Sequence, residues 1–62
     1  MEHKIQLRLD IYNDGGAEWV AFVIENPELE YISGVGSTAE KAYRKLEEAL
    51  KLYYAYIKEK VE

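Results

Sequence analysis

Ser37-Thr38-Ala39-Glu40-Lys41-Ala42-Tyr43, continuing through Leu46, Leu50 and Tyr53 to Lys60, is the stretch whose reading decides the fold. Ala39, Ala42, Tyr43, Leu46, Ala49, Leu50, Tyr53 and Ile57 recur at spacings of three and four, which lines them along one face of a helix. Lys41, Arg44, Lys45, Glu48, Lys51, Lys58 and Glu59 fill the opposite side. Neither Gly nor Pro interrupts the run, and Ala, Leu, Glu and Lys dominate it, so intrinsic preference agrees with the pattern. Ser37 followed by Glu40 reads as a capping box, in which hydroxyl and carboxylate each accept from the other residue's amide. The spacing predicts one helix over about residues 38–60. It would be roughly 34 Å long at about 1.5 Å per residue, against roughly 26 Å for a strand of about eight residues. Its last turns are therefore expected to overhang any sheet beneath it, and Leu52 and Tyr56 widen the apolar surface there.

Everything before the helix reads as that sheet. Tyr31 to Val35 is a short third strand, with Gly34 and Gly36 bracketing Val35, as bends or as places where other backbone comes close. Asn26-Pro27-Glu28 breaks the chain before it, because Pro27 has no amide donor and biases Asn26 towards extended geometry. Further back, Lys4 to Tyr12 alternates strictly, with Ile5, Leu7, Leu9 and Ile11 on one face, the pattern of a half-buried strand. Asn13-Asp14-Gly15-Gly16 then marks a hairpin, since Gly accepts the positive φ that tight turns need. The reading is one α+β domain over 1–62: a three-stranded antiparallel sheet, strands at about 3–12, 17–25 and 31–35, followed by one long helix.

Setting Tyr12 opposite Ala17 places Leu9 against Val20, Leu7 against Phe22 and Ile5 against Ile24 on the side facing the helix. Trp19, Ala21 and Val23 then point away from the helix, beside Tyr12. One helix cannot cover apolar residues on both faces of a strand. Tyr12, Trp19, Ala21, Val23, Leu52 and Tyr56 are accordingly the candidate protein-interface residues, since aromatic side chains are enriched where surfaces associate.

Sixty-two residues make one small domain, and at this size folding buries only about 60% of the unfolded surface. With no cysteine, disulfides and thiolate zinc sites cannot reinforce it. Oligomerisation is the remaining common route. No signal peptide and no transmembrane run is present, which points to the cytoplasm. The net charge of −4 is divided unevenly: residues 1–40 hold eight acids against Lys4 and Arg8, whereas residues 41–62 hold six bases against four acids. An acidic half repels phosphate and attracts a basic protein surface. The helix bases are interspersed with Glu47, Glu48, Glu59 and Glu62, as on a solvated helix face rather than a nucleic-acid patch.

Residue chemistry offers no catalytic centre, cofactor site or metal site. His3 is the only histidine, and near the chain start it reads as a frayed terminal residue. Asp10 reads as a solvated mid-strand charge, with Glu18 and Glu25 on opposite faces of their strand. Gly36 precedes a helix start, but its spacing matches neither a P-loop nor a dinucleotide fingerprint.

The order of hairpin, Pro-containing break, Gly-bracketed strand and capped Leu/Tyr-rich helix resembles the N-terminal domain of HicB-type antitoxins, including short solitary HicB-like proteins. The matching residues are Trp19-Val20-Ala21, Asn26-Pro27-Glu28-Leu29, Gly34-Val35-Gly36-Ser37-Thr38, Glu40-Lys41-Ala42, and Ala49-Leu50 with Tyr53. Glu30-Tyr31 departs from the family's usual Pro-Gly at that place. The resemblance implies a partial ribonuclease-H-like βββα fold, self-association, no catalysis, and binding of a small basic HicA-like RNA-cleaving toxin. No counterpart of a DNA-binding tail appears within these residues, so operon autorepression is not implied. Two other classes stay open: a homo-oligomeric structural protein without a toxin partner, and a minimal RNA-binding or nuclease-like domain.

Overall fold

The computed structural model describes residues 3–61, with side chains described as far as residue 59. Strand β1 (Lys4–Ile11) and strand β2 (Ala17–Ile24) form a hairpin. A 3₁₀ turn over Pro27–Leu29 leads to strand β3 (Ser33–Gly36), and helix α1 (Ala39–Val61) follows. The sheet is antiparallel in the order β1-β2-β3. The fold is the expected α+β arrangement of three strands and one long helix.

The hairpin closes one residue tighter than the sequence predicts. Tyr12 N–H donates to Gly16 O at 2.7 Å, and Gly15 N–H donates to Tyr12 O at 3.1 Å. Gly15, at φ 89°, supplies the left-handed residue of a three-residue loop. Asp14 Oδ1 accepts from Gly16 N at 2.8 Å and fixes the exit. Tyr12 therefore faces Gly16, and Ala17 faces Ile11.

A one-residue slip turns every side chain of a strand to the other face. In the observed register Leu9 faces Trp19, Leu7 faces Ala21 and Ile5 faces Val23. Trp19, Ala21 and Val23 thus share the helix-facing side with Ile5, Leu7 and Leu9, the reverse of the expectation. Val20, Phe22 and Ile24 lie on the opposite, open face with Lys4, Gln6, Arg8 and Asp10.

The third strand begins later than expected. Asn26 Oδ1 accepts from Glu28 N at 3.2 Å, and Ile32 N donates to Leu29 O at 3.0 Å, so Tyr31 and Ile32 are spent in turns. In exchange Leu29 reaches the core.

The helix is capped by Thr38 rather than Ser37. Lys41 N donates to Thr38 Oγ1 at 3.1 Å and Ala42 N to Thr38 O at 3.0 Å. Glu40 does not reach back; it pairs with Arg44 at 2.6 Å one turn on. Ser37 Oγ lies 3.3 Å from Lys41 Nζ instead.

The core consists of Ala21, Val23, Leu29, Ala42, Leu46 and Leu50, with Ile5, Trp19, Ile32 and Tyr53 packed at its margin. Leu29 and Leu46 are its largest fully buried side chains, and each such burial contributes about 1.5–3 kcal/mol. Gly34 and Gly36 let the helix sink onto β3: a Cβ on Gly34 would run into Ala42 O and Leu46 N, and one on Gly36 would lie 2.7 Å from Ala42 N. Both contacts are with helix backbone, so this is a close approach rather than a bend.

Candidate association surfaces

The helix lies over β3 and β2 and scarcely reaches β1. The cause is a gradient of side-chain size across the sheet. One cross-strand row runs Gly34, Ala21, Leu7, and the next runs Gly36, Trp19, Leu9. The glycines admit the helix backbone at the β3 end, while the larger side chains hold it off towards β1. Leu7, Leu9 and Ile11 are left 40%, 44% and 73% exposed on the helix side of the sheet. Tyr43 and Tyr54, on the same helix flank by their spacing, are also exposed. Tyr54 closes one end of this flank, with its hydroxyl 3.0 Å from His3 Nε2 and the two rings stacked at 6.0 Å. His3 is held there, against the expectation of a frayed residue.

A second apolar surface lies across the helix, at the β3 edge. Tyr31, Ile32, Ser33, Ala49, Leu52, Tyr53 and Tyr56 line an open groove of about 460 Å³. Tyr31, carried out by the turn before β3, is 89% exposed, and Leu52 is 73% exposed. This is where the helix outruns the sheet, and the described residues from Tyr54 to Glu59 are all exposed. Ile57, expected on the core stripe, lies in this overhang.

The open face of the sheet is a third, more polar surface. Val20, Phe22 and Ile24 are half-buried along β2, flanked by Val35 on β3 and by the polar side of β1. The Arg8 guanidinium lies over the Phe22 ring, 5.5 Å from its centroid, and 2.8 Å from Asp10 Oδ1. The hydrogen bond to Asp10, and then its charge, push the Arg8 pKa above its already high ordinary value. Asp10 stands directly opposite Glu18, so a repulsive pair of acids sits at the hairpin end of this face.

The six expected interface residues are thereby separated. Ala21 and Val23 are 0% and 4% exposed, in the core beneath the helix, so neither forms a surface of the folded chain. Trp19 is half-buried at the core margin, on the helix side, and Tyr12 is exposed beyond the end of β1. Leu52 and Tyr56 line the groove. Sequence reasoning missed Leu7, Leu9 and Ile11, which it placed under the helix, and Tyr31. The row of small residues Gly34, Gly36 and Ala21 carried the information, because it shows on which side the helix is tight.

Among the described residues no three His, Cys, Asp or Glu side chains converge on one point, and no helix is long and apolar enough to cross a membrane. Comparison with protein-family models, with curated proteins and with solved structures gives no match for this chain.

Proposed function

We infer that the chain is a non-catalytic, self-associating protein-interaction module that works as a HicB-like antitoxin domain, holding a small basic HicA-like RNA-cleaving toxin. The observation that carries the interaction reading is the apolar β1 flank, where Leu7, Leu9 and Ile11, successive along one face of the strand, are all partly exposed. A contiguous apolar patch of this kind marks an association surface, whereas scattered single residues do not. The sheet half of the chain is acidic, with Asp10, Asp14 and Glu18 at the hairpin end and Glu25, Glu28 and Glu30 at the other, of which Asp10 and Glu25 are paired with Arg8 and Lys4. That placement favours a basic protein over a nucleic acid. The motif order and the arrangement of three antiparallel strands followed by one long helix support the HicB-like part of the reading. The non-catalytic part draws support from carboxylates engaged elsewhere, since Asp10 pairs with Arg8, Glu25 with Lys4 and Glu40 with Arg44.

The test is titration with a small basic HicA-like protein at low and high ionic strength, together with an RNA-cleavage assay of that protein. Complex formation that weakens with salt and suppresses cleavage is expected. If the toxin cleaves RNA undiminished in the presence of excess chain at low salt, the antitoxin reading is lost.

A further inference from the structure

We propose that a second copy of the chain docks on the free edge of β1, extending the sheet by antiparallel β1–β1 pairing about a two-fold axis at Leu7. The proposal deepens the self-association part of the reading above and rests on it. β1 is the long edge of the sheet, and among the described residues no strand pairs with its outer side. Natural edges are usually blunted by a bulge, a proline, a very short strand or a charge pointing into the apolar face. β1 has none of these: it runs eight residues, its register with β2 is unbroken, its helix-side residues are Ile5, Leu7, Leu9 and Ile11, and its charges, Lys4, Arg8 and Asp10, all lie on the open face, where mixed signs can pair across a second copy. The other edge, β3, has four residues, two of them glycine.

Backbone polarity limits the ways in which two such edges can meet. Tyr12 donates inward to Gly16, so by alternation Lys4, Gln6, Arg8 and Asp10 also bond inward. The amides and carbonyls of Ile5, Leu7, Leu9 and Ile11 point outward. Outward groups must meet outward groups, which requires the two-fold axis to pass through a residue and also sets apolar face beside apolar face.

Charge then selects among these registers. Centred on Leu7, the pairing sets Leu7 against Leu7, Ile5 against Leu9, Gln6 against Arg8 and Lys4 against Asp10. Both ends carry opposite charges, and Asp10 gains a cation on the side away from Glu18. Centring on Arg8 opposes Arg8 to itself, and centring on Gln6 opposes Lys4 to Arg8; like charges directly opposite are destabilising. Centring on Leu9 carries Ile5 past the strand end, to face Asn13 in the turn. The occupant is therefore another β1, which supplies the complementary sequence, the free hydrogen-bonding groups and the apolar neighbours for Leu7 and Leu9.

The absence of native cysteine makes single-cysteine crosslinking the test, read by mass after mild oxidation and beside light scattering of the unmodified chain. In the proposed register the two Leu7 Cα atoms form a hydrogen-bonded pair about 5.5 Å apart, inside the roughly 4.4–6.8 Å that a disulfide spans. Leu7→Cys is expected to oxidise to twice the 7.2 kDa chain mass, whereas Leu9→Cys and Tyr56→Cys remain single chains. In the native sequence the Leu7 and Leu9 amides should exchange slowly when concentrated and fast on dilution. Leu7→Lys should raise the dissociation constant by about tenfold or more, as an inward-pointing charge does on an edge. Crosslinking at Leu9 instead would establish another register and overturn the proposal. Crosslinking at Tyr56 alone, with dimeric mass, would move the association to the groove: the proposal would fall and self-association would stand. A monomeric mass at every concentration, with all three cysteine variants uncrosslinked, would remove both.

Discussion

β3 and β1 are the two edges of one small sheet, and the helix treats them oppositely. At β3 the row Gly34–Ala21–Leu7 offers no side chain at all, so helix backbone lies directly on strand backbone. At β1 the same row ends in a leucine, which is left 40% exposed with the helix held away from it. The difference shows that the position of the helix is set by the sizes along a cross-strand row, not by the total apolar content of the strands. β1 has the cleaner hydrophobic alternation, yet β3 binds the helix. The cost of the arrangement is an apolar strand left open at one edge of a 62-residue chain, and the proposed association rests on that strand.

Filling the closed edge would remove the seat of the helix. Gly34→Val would drive side-chain atoms into Ala42 O and Leu46 N, which are helix backbone and cannot swing aside. Overpacking costs about 1–3 kcal/mol and occasionally more, against a total stability of roughly 3–9 kcal/mol at this length. The variant is expected to lose cooperative thermal unfolding by circular dichroism. Gly36→Ala should retain folding with a lowered midpoint. A Gly34→Val chain as stable as the parent would mean that the helix does not rest on β3 as described.

Truncating a leucine at each flank disturbs the fold less and separates the two edges. Leu46 is fully buried over β3, and Leu46→Ala is expected to cost about 2–5 kcal/mol. Leu9 is almost half exposed, so Leu9→Ala should cost less than about 1 kcal/mol on the area lost. Urea titration at a dilution where light scattering reports single chains separates these effects from association. Equal losses at the two positions would remove the distinction between a closed and an open flank.

How far this was legible in the sequence follows from the same residues. The helix could be read because its three-and-four spacing runs unbroken over many turns, and β1 because its alternation is strict. The register could not, because β2 is apolar on both faces: Val20, Phe22 and Ile24 on one, Trp19, Ala21 and Val23 on the other. Sliding the strand by one residue exchanges one apolar set for another, so burial does not choose between them. The choice lay in the turn, where Gly15 and Gly16 can each take positive φ, and only the structure shows that Gly15 does. With the faces of β2 exchanged, Ala21 and Val23 were read as surface and Leu7 and Leu9 as core. Leu52 and Tyr56 were readable as exposed because they lie outside the helix stripe and needed no register.

The closed flank begins at the helix cap. Ser37 and Thr38 are adjacent hydroxyl residues, and either could cap a helix by sequence, but only Thr38 Oγ1 accepts a helix amide, from Lys41 at 3.1 Å. The glycines explain the choice: Gly36 lies against the Ala42 amide and Lys41, so the first turn must start right after β3, and Thr38 is where the chain leaves it. Replacing a capping Thr by Ala costs about 0.5–2 kcal/mol, so Thr38→Ala should lower the urea midpoint measurably. Ser37 Oγ meets only the flexible ammonium of Lys41 at 3.3 Å on an exposed surface, and Ser37→Ala should move the midpoint by less than about 0.5 kcal/mol, as surface changes away from special features do. The slope of the titration should be unchanged in both variants, since neither alters how much surface unfolding exposes. A larger loss at Ser37 than at Thr38 would place the helix start one residue earlier, and with it would shift the seating of α1 on Gly34 and Gly36 from which the contrast between the two edges arises.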